Sequence, residues 1–349
     1  MLDQPAHIRQ GEELNSENLI AFLKAKGLAS EITIQQFPSG YSNLTYLIQT
    51  GHEDFILRRP PFGANIKSAH DMEREYHVLS LLQKAGFTKV PEPVLFCEEE
   101  DVIGAKFYLM KRVQGVILRN RVPKGMAIDA PTFHQLSRSA IDQLVQLHQL
   151  DVHTTGLHQL GKPEGYVQRQ VEGWIKRYFN AQTDDIAAMN ETAEWMQKNI
   201  PTSNRVSFIH NDYKYDNLVL NADRLTEIKA ILDWEMATVG DPLMDLGTSL
   251  AYWAEPNDAD ALKPFNLTWM PGNMTRHEMA QYYSEKSNTP IDDIVFYYAF
   301  GSFKVAVICQ QIYHRYKQGH TQDPRFASLL FVIKACAENA RKAIFNSLI

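Results

Sequence analysis

The sequence predicts an α+β chain of two lobes, a small antiparallel sheet with one helix packed on it and a larger, mainly helical lobe. Three observations predict this. Short β-branched and aromatic runs crowd the first third, stretches of helical spacing fill most of the rest, and one polar island interrupts the helices. The boundary falls at 112/113, so that residues 1–112 form the sheet lobe and 113–349 the helical lobe. Ligands commonly bind in the cleft between two such lobes.

Taken in order, Ser16 is positioned to cap a first helix carrying Leu19, Ile20, Phe22 and Leu23, which Gly27 ends. Residues 32–37, 44–49 and 55–58 read as strands separated by Pro38-Ser39-Gly40 and Gly51-His52. A helix over 69–84 sets Met72, Tyr76, Leu79 and Leu82 on one face and stops at Gly86. Residues 94–97 and 106–110 supply two more strands. Beyond Gly115 the period changes. Phe133, Leu136, Ala140, Ile141, Leu144, Val145 and Leu147 describe one long amphipathic helix, and further helical stretches lie near 166–180, 184–199, 274–287, 291–317 and 325–346. The island, 206–241, contains two β-like runs at 218–220 and 228–232.

Composition narrows the function. The chain has 349 residues, 44% hydrophobic and 22% charged, which excludes a disordered or fibrous protein. A net charge of −6 argues against general nucleic-acid binding, which needs a surplus of Lys and Arg. The three cysteines are far apart and belong to no metal-binding cluster, so neither a disulfide framework nor a zinc finger is expected, and a reducing, cytoplasmic setting is. The N-terminus lacks the apolar core of a signal peptide. No run reaches the ~20 apolar residues of a membrane span. The nearest, 294–309, is broken by Gly301, Ser302 and Lys304 and reads as a buried helix.

The chemistry concentrates in two segments, Phe-Ile-His-Asn-Asp-Tyr-Lys-Tyr-Asp-Asn at 208–217 and Ala-Ile-Leu-Asp-Trp-Glu at 230–235. Asn217 and Asp233 offer two oxygen ligands of the kind that suit Mg²⁺, which takes one or two protein ligands and completes its shell with phosphate oxygens. Asp212 stays free to accept a proton from an attacking hydroxyl. That is the division of labour phosphoryl transfer requires. The alternative is a pair of solvated loops whose Asp and Asn residues only make turns. Two segments in this order, each after a β-like run, weigh against it.

These residues resemble the aminoglycoside phosphotransferase (choline-kinase-like) family. His210, Asp212 and Asn217 match its H-x-D-x-x-x-x-N loop, Asp233 and Glu235 its D-x-[DE] segment, and 240–246 its G-D-P-x-x-D-L segment. The likeness covers roughly residues 30–320. It implies a bilobal protein-kinase-like fold, ATP and Mg²⁺ as cofactors, Asp212 as the base, and Asn217 and Asp233 on the metal. His210, Glu235, Asp241 and Asp245 would then be supports. Residues 37–46, with Gly40, Ser42 and Asn43, sit where the family has its nucleotide-covering loop. Backbone N–H groups there can cradle phosphate, although Pro-Ser-Gly is also a generic hairpin turn.

Arg58 stands where kinases carry the lysine that touches the α- and β-phosphates. It keeps the charge and can grip phosphate in bidentate fashion. Glu75 would be its partner, unless it is an ordinary exposed helix charge. Residues 108–113, with Met110, Lys111 and Arg112, look like the hinge whose backbone would hold adenine. Lys214 is either a charge for the transferring phosphoryl group or a solvated loop lysine.

For the acceptor, a small hydroxylated molecule, residues 102–128 contain Lys106, Lys111, Arg112, Arg119, Arg121 and Lys124 and no acid. Such a run favours an anionic acceptor over a polycationic aminoglycoside, or it is a solvated basic face opposite the acidic turn 98–101. Segments at 55–61, 68–76 and 102–108 are similar to kinase-like domains related to, and sometimes fused with, acyl-CoA dehydrogenases. In that group arginine at position 58 is usual, and the implied acceptors are hydroxy acids carried on coenzyme A. The competing readings are an antibiotic kinase, a nucleotide-binding pseudokinase or regulatory module, and a metal hydrolase using His210, Asp212 and Asp233. Against the last, no further His or Cys has the spacing to complete a site. His70, His148 and His314 read as packing or surface residues.

Overall fold

The computed structural model describes residues 4–29, 31–38, 43–62, 71–321 and 323–349. Five strands build the first lobe: β1 (Thr33–Gln36), β2 (Leu44–Gln49), β3 (Asp54–Arg59), β4 (Pro93–Cys97) and β5 (Phe107–Lys111). They form one antiparallel sheet in the order β1-β2-β3-β5-β4.

Strand alternation gives this sheet two different faces. Tyr46, Ile48, Phe55, Leu57, Phe107 and Leu109 share a core with Leu19 and Leu23 of α1 (Ser16–Ala25). Leu47, Ile56, Tyr108 and Met110 face α2 (Met72–Lys84) and run on into the core of the helical lobe. Arg58 follows the period of the second face, with Tyr108 directly opposite it on β5. That register aims both residues at α2. Asn15, not Ser16, caps α1, its side chain accepting the Asn18 N–H. Asp71 caps α2, so this helix starts at Met72 rather than 69, and residues 69–70 lie outside the described ones.

The second lobe contains α3 (Ala130–His148), α4 (Tyr166–Asn180), α5 (Ala187–Lys198), α6 (Pro242–Tyr252), α7 (Arg276–Ser287), α8 (Ile294–Lys317) and α9 (Leu329–Asn346). Sequence periodicity missed α6. Every one of its residues is buried, so no polar face marks it. Its signals are local: the Asp241 side chain accepts the Leu243 N–H, and Pro242 opens the first turn. The island likewise holds four short strands rather than two. β6 (Ser207–Ile209) pairs with β9 (Thr238–Gly240), and β7 (Leu218–Leu220) with β8 (Ile228–Ile231).

Where α6 crosses α8, Gly247 and Gly301 let the two backbones touch. A Cβ on Gly247 would collide with the Tyr297 carbonyl, and one on Gly301 with the Gly247 carbonyl. This close crossing sets Asp245 of α6 and Lys304 of α8 behind the loop that follows β6. No helix of the described residues is long and apolar enough to cross a membrane.

Candidate active site

The loop after β6 turns through Asn211, whose φ of 68° lies in the left-handed region that Asn tolerates better than most residues. A buried carboxylate holds this turn. Asp245 is fully buried and accepts the backbone N–H groups of His210 and Asn211, both at 2.7 Å, while His148 Nε2 lies 3.1 Å away. Burial opposes ionisation of Asp245, but the bonds from His148 and the His210 N–H outweigh it and hold its carboxyl below the usual carboxylate range.

His210 is buried too, which lowers its pKa and favours the neutral ring. Its two nitrogens have separate duties. Nε2–H donates to the Leu232 carbonyl (2.9 Å), and Nδ1 accepts the Asp212 N–H (3.2 Å). One imidazole thus ties the loop carrying Asp212 to the strand end that precedes Asp233.

Asp212 is partly buried and carries three donors, Tyr252 OH beside Lys214 and Asn217. Lys214 Nζ lies 3.0 Å from Oδ2 and 3.1 Å from Oδ1, and Asn217 Nδ2 donates to Oδ2 (3.0 Å) and to the Asp212 carbonyl (2.8 Å). Burial works against the Lys214 charge, but Asp212 raises its pKa well above the ordinary lysine value, so the ammonium stays charged. With its amide nitrogen committed to Asp212, Asn217 has Oδ1 left as a ligand atom. The β7–β8 ladder pairs Leu218 with Ile231, and the Leu232 N–H donates to the Asn217 carbonyl (2.8 Å). Asp233, at φ 67°, is therefore the next residue along from Asn217's backbone partner.

Behind Asp233, the Trp234 ring packs 4.6 Å from His210 and 6.2 Å from Phe208, centroid to centroid. One amide oxygen and one partly exposed carboxylate, held at adjacent strand ends, fit a hard divalent cation that takes its other ligands from phosphate and water. Among the described residues, no three His, Cys, Asp or Glu side chains converge as a metal site.

Across the cleft, Arg58 Nε lies 3.0 Å from Glu75 Oε2 and Arg58 Nη2 3.4 Å from Asp233 Oδ1. Burial disfavours the guanidinium charge, yet Glu75, Tyr108 and Asp233 outweigh it and keep Arg58 protonated. Glu75 is 3% exposed, so it is not the solvated helix charge considered from sequence. It also accepts from Tyr108 OH (2.9 Å) and Asn43 Nδ2 (2.7 Å). Asn43 donates again to Glu235 Oε2 (3.1 Å), linking the start of β2 to the segment after Asp233. Its side chain bridges two carboxylates. Ser42 lies outside the described residues.

The residues expected at the hinge are engaged within their own lobe. Lys111 Nζ sits 3.3 Å from both Glu53 and Glu92, and Arg112 Nη1 is 3.0 Å from Asp54. Their backbone N–H groups are engaged as well, donating to Glu92 O (2.8 Å) and Asp54 O (3.0 Å). Met110 is buried on the α2 face. Asp241, besides capping α6, accepts from Tyr297 OH (3.1 Å).

Sequence reasoning missed three residues behind the loop. His148 reaches Asp245 and lies 2.7 Å from Tyr283 OH; its signal was a polar residue on the apolar stripe of α3. Lys304 donates to the Asn211 carbonyl (2.8 Å), and its signal was a lone charge inside an apolar helix. Tyr166, whose hydroxyl accepts from Asn211 Nδ2 (3.2 Å), carried no signal.

Comparison with known proteins gives the family. The family model described as "Phosphotransferase enzyme family" matches residues 33–279. Acyl-CoA dehydrogenase family member 11 of Gallus gallus is 34% identical over 316 residues, 89% of this chain and 40% of that protein. The chain thus spans less than half the length of this relative. A crystal structure from Ralstonia eutropha, assigned as an aminoglycoside phosphotransferase, superposes with a TM-score of 0.78 at 28% identity, over 95% of this chain and 99% of that one. Spectinomycin phosphotransferase, solved with ADP and spectinomycin, shares the fold with a TM-score of 0.61 at 16% identity, over 95% of this chain and 98% of that one. The chain belongs to the phosphotransferase enzyme family.

Proposed function

We propose that this family member transfers the γ-phosphoryl group of ATP to a hydroxyl of a small anionic metabolite, a hydroxy acid or hydroxyacyl-CoA. One observation carries the reading. The Asp212 carboxylate is oriented by Asn217 and Lys214, while Asn217 Oδ1 and Asp233 remain as oxygen ligands at adjoining strand ends. In the reaction Asp212 takes the proton of the acceptor hydroxyl, whose oxygen forms a bond to the γ-phosphorus as the bond to the ADP oxygen breaks. Lys214, already on Asp212, is placed to balance charge that builds during the transfer. Mg²⁺ on Asn217 and Asp233 would offset charge on the β- and γ-oxygens. Arg58, oriented by Glu75, would hold the α- and β-phosphates through its planar fork.

For adenine, the N–H groups of Lys111 and Arg112 already donate to the Glu92 and Asp54 carbonyls, so the contact would use other backbone groups of this segment. The anionic acceptor rests on less of the basic run than its length suggests, because Lys111 and Arg112 face acids on their own lobe. Arg119 is the member whose charge reaches the catalytic loop, where it acts on Asp216. The buried free thiols of Cys97, Cys309 and Cys336 suit a reducing, cytoplasmic setting.

The test is ATP consumption by the purified protein with Mg²⁺ across free hydroxy acids, hydroxyacyl-CoA thioesters and aminoglycosides. Turnover is expected with a hydroxy acid or its thioester. Turnover confined to aminoglycosides would overturn the charge argument, and nucleotide binding without turnover on any acceptor would leave a binding module.

A further inference from the structure

Lys304 is an anomaly that the proposed chemistry does not use. It lies in the middle of α8, is 2% exposed, and forms no ion pair among the described residues. Buried lysines are rare without a partner because removing an ammonium from water costs several kcal/mol. Burial accordingly lowers its pKa to about 8, with Asp245 and Asp212 pulling it up and Lys214 and Arg177 pushing it down. What the amine does have is one short contact, to the carbonyl of Asn211 at 2.8 Å, and a longer one to Asn211 Oδ1 at 3.4 Å. The Trp174 ring of α4 lies 5.8 Å from Nζ on its other side.

That carbonyl belongs to the peptide joining Asn211 to Asp212, and the same peptide's N–H donates to His210 Nδ1. Both ends of one peptide plane are therefore held by side chains, and its orientation decides where the Asp212 side chain leaves the backbone. Asn211 itself is anchored from three more directions: its N–H on Asp245, and its Nδ2 on Tyr166 OH and on the Met236 carbonyl. A left-handed non-glycine residue is strained and persists where its surroundings over-determine it. Lys304 is the one of these anchors that acts on the Asp212 side of the residue.

We infer that Lys304 is a positioning residue, which locks the Asn211–Asp212 peptide plane from α8 and so aims the Asp212 carboxylate into the cleft. The inference rests on Asp212 being the base, and the experiment separates the two. Amide hydrogen exchange is read by NMR on the full chain for wild type and K304M, with melting temperature and Mg²⁺-ATP turnover on the same samples and D212N as the reference. In K304M the Asp212 N–H is expected to exchange at least about 30-fold faster while the Asn211 N–H, held by Asp245, changes less than about threefold. Turnover is expected to fall about 100-fold with KM for ATP within about twofold, because a small misplacement of a reacting group acts on kcat. K304Q, which keeps an N–H donor without the charge, should recover part of both losses.

Unchanged exchange at Asp212, or faster exchange with full turnover while D212N is inactive, overturns the inference. If D212N keeps its turnover, the reading of Asp212 as base falls, whatever K304M does. If K304M and K304Q both fail to fold, Lys304 supports the core as a whole and the positioning role is refuted.

Discussion

The two banks of the cleft are built on different principles. On the helical side, Asp212, Asn217 and Asp233 stand on short strand ends whose turns are held by fully buried groups: Asp245 on two backbone N–H groups, His210 between two loops, Lys304 on one carbonyl. On the sheet side, Arg58 and Asn43 meet Glu75 through side chains alone, and the same two residues reach across to Asp233 and Glu235. Under the proposed function, geometry is fixed where bonds would be made and broken, and charge is arranged where a nucleotide would be held. The difference teaches that a network to backbone positions, whereas a network among long side chains binds.

Substitutions on the two banks should separate accordingly. The largest effect is expected for Asp212→Asn: turnover falls about 1,000-fold with ATP affinity within about threefold, since a general base contributes roughly 10²–10⁴ and binds no nucleotide. Single-turnover kinetics beside nucleotide titration checks it, and a large loss of affinity would break the division between the banks.

Asp245→Asn comes next and reads out in stability. A carboxylate accepts both N–H groups, while an amide turns its NH₂ toward one of them, so unfolding in urea is expected to cost about 3 kcal/mol less. The pH dependence has a definite sign. The folded pKa of Asp245 lies below the ordinary aspartate value, so its contribution is complete above about pH 5 and is lost as pH falls through the folded pKa. Wild type should lose urea stability below about pH 4 more steeply than D245N.

On the sheet side, Arg58→Lys keeps the charge but loses the planar fork shared between Glu75 and Asp233. KM for ATP is expected to rise about tenfold with kcat within about threefold, the reverse of the Asp212 pattern. The smallest effect belongs to Lys111→Ala. Its ammonium faces Glu53 and Glu92 on an exposed edge, so KM for ATP should stay within about twofold, and a larger rise would return Lys111 to the nucleotide site.

How much of this was legible beforehand depends on the range of the interaction. The five-residue spacing of Asp212 to Asn217 and the β-like run before each of the two polar segments are local properties, and they read directly from residue order. The cap of α2 by Asp71 is equally local, yet helical spacing alone begins that helix at 69, ahead of its cap. Helix α6 escaped because burial on all sides erases the polar stripe that periodicity detects.

Residue order alone determined the two-lobed architecture and the set of groups able to carry phosphoryl chemistry, since both follow from backbone period and side-chain type within a few positions. The tertiary structure decided which of those groups are at liberty. Lys111 and Arg112 are spent on Glu53, Glu92 and Asp54, Asn43 is shared between Glu75 and Glu235, and a lysine from α8 that looked like a flaw in an apolar helix holds the Asn211 carbonyl. The availability of a charge depends on partners brought from far along the chain, and only packing chooses them.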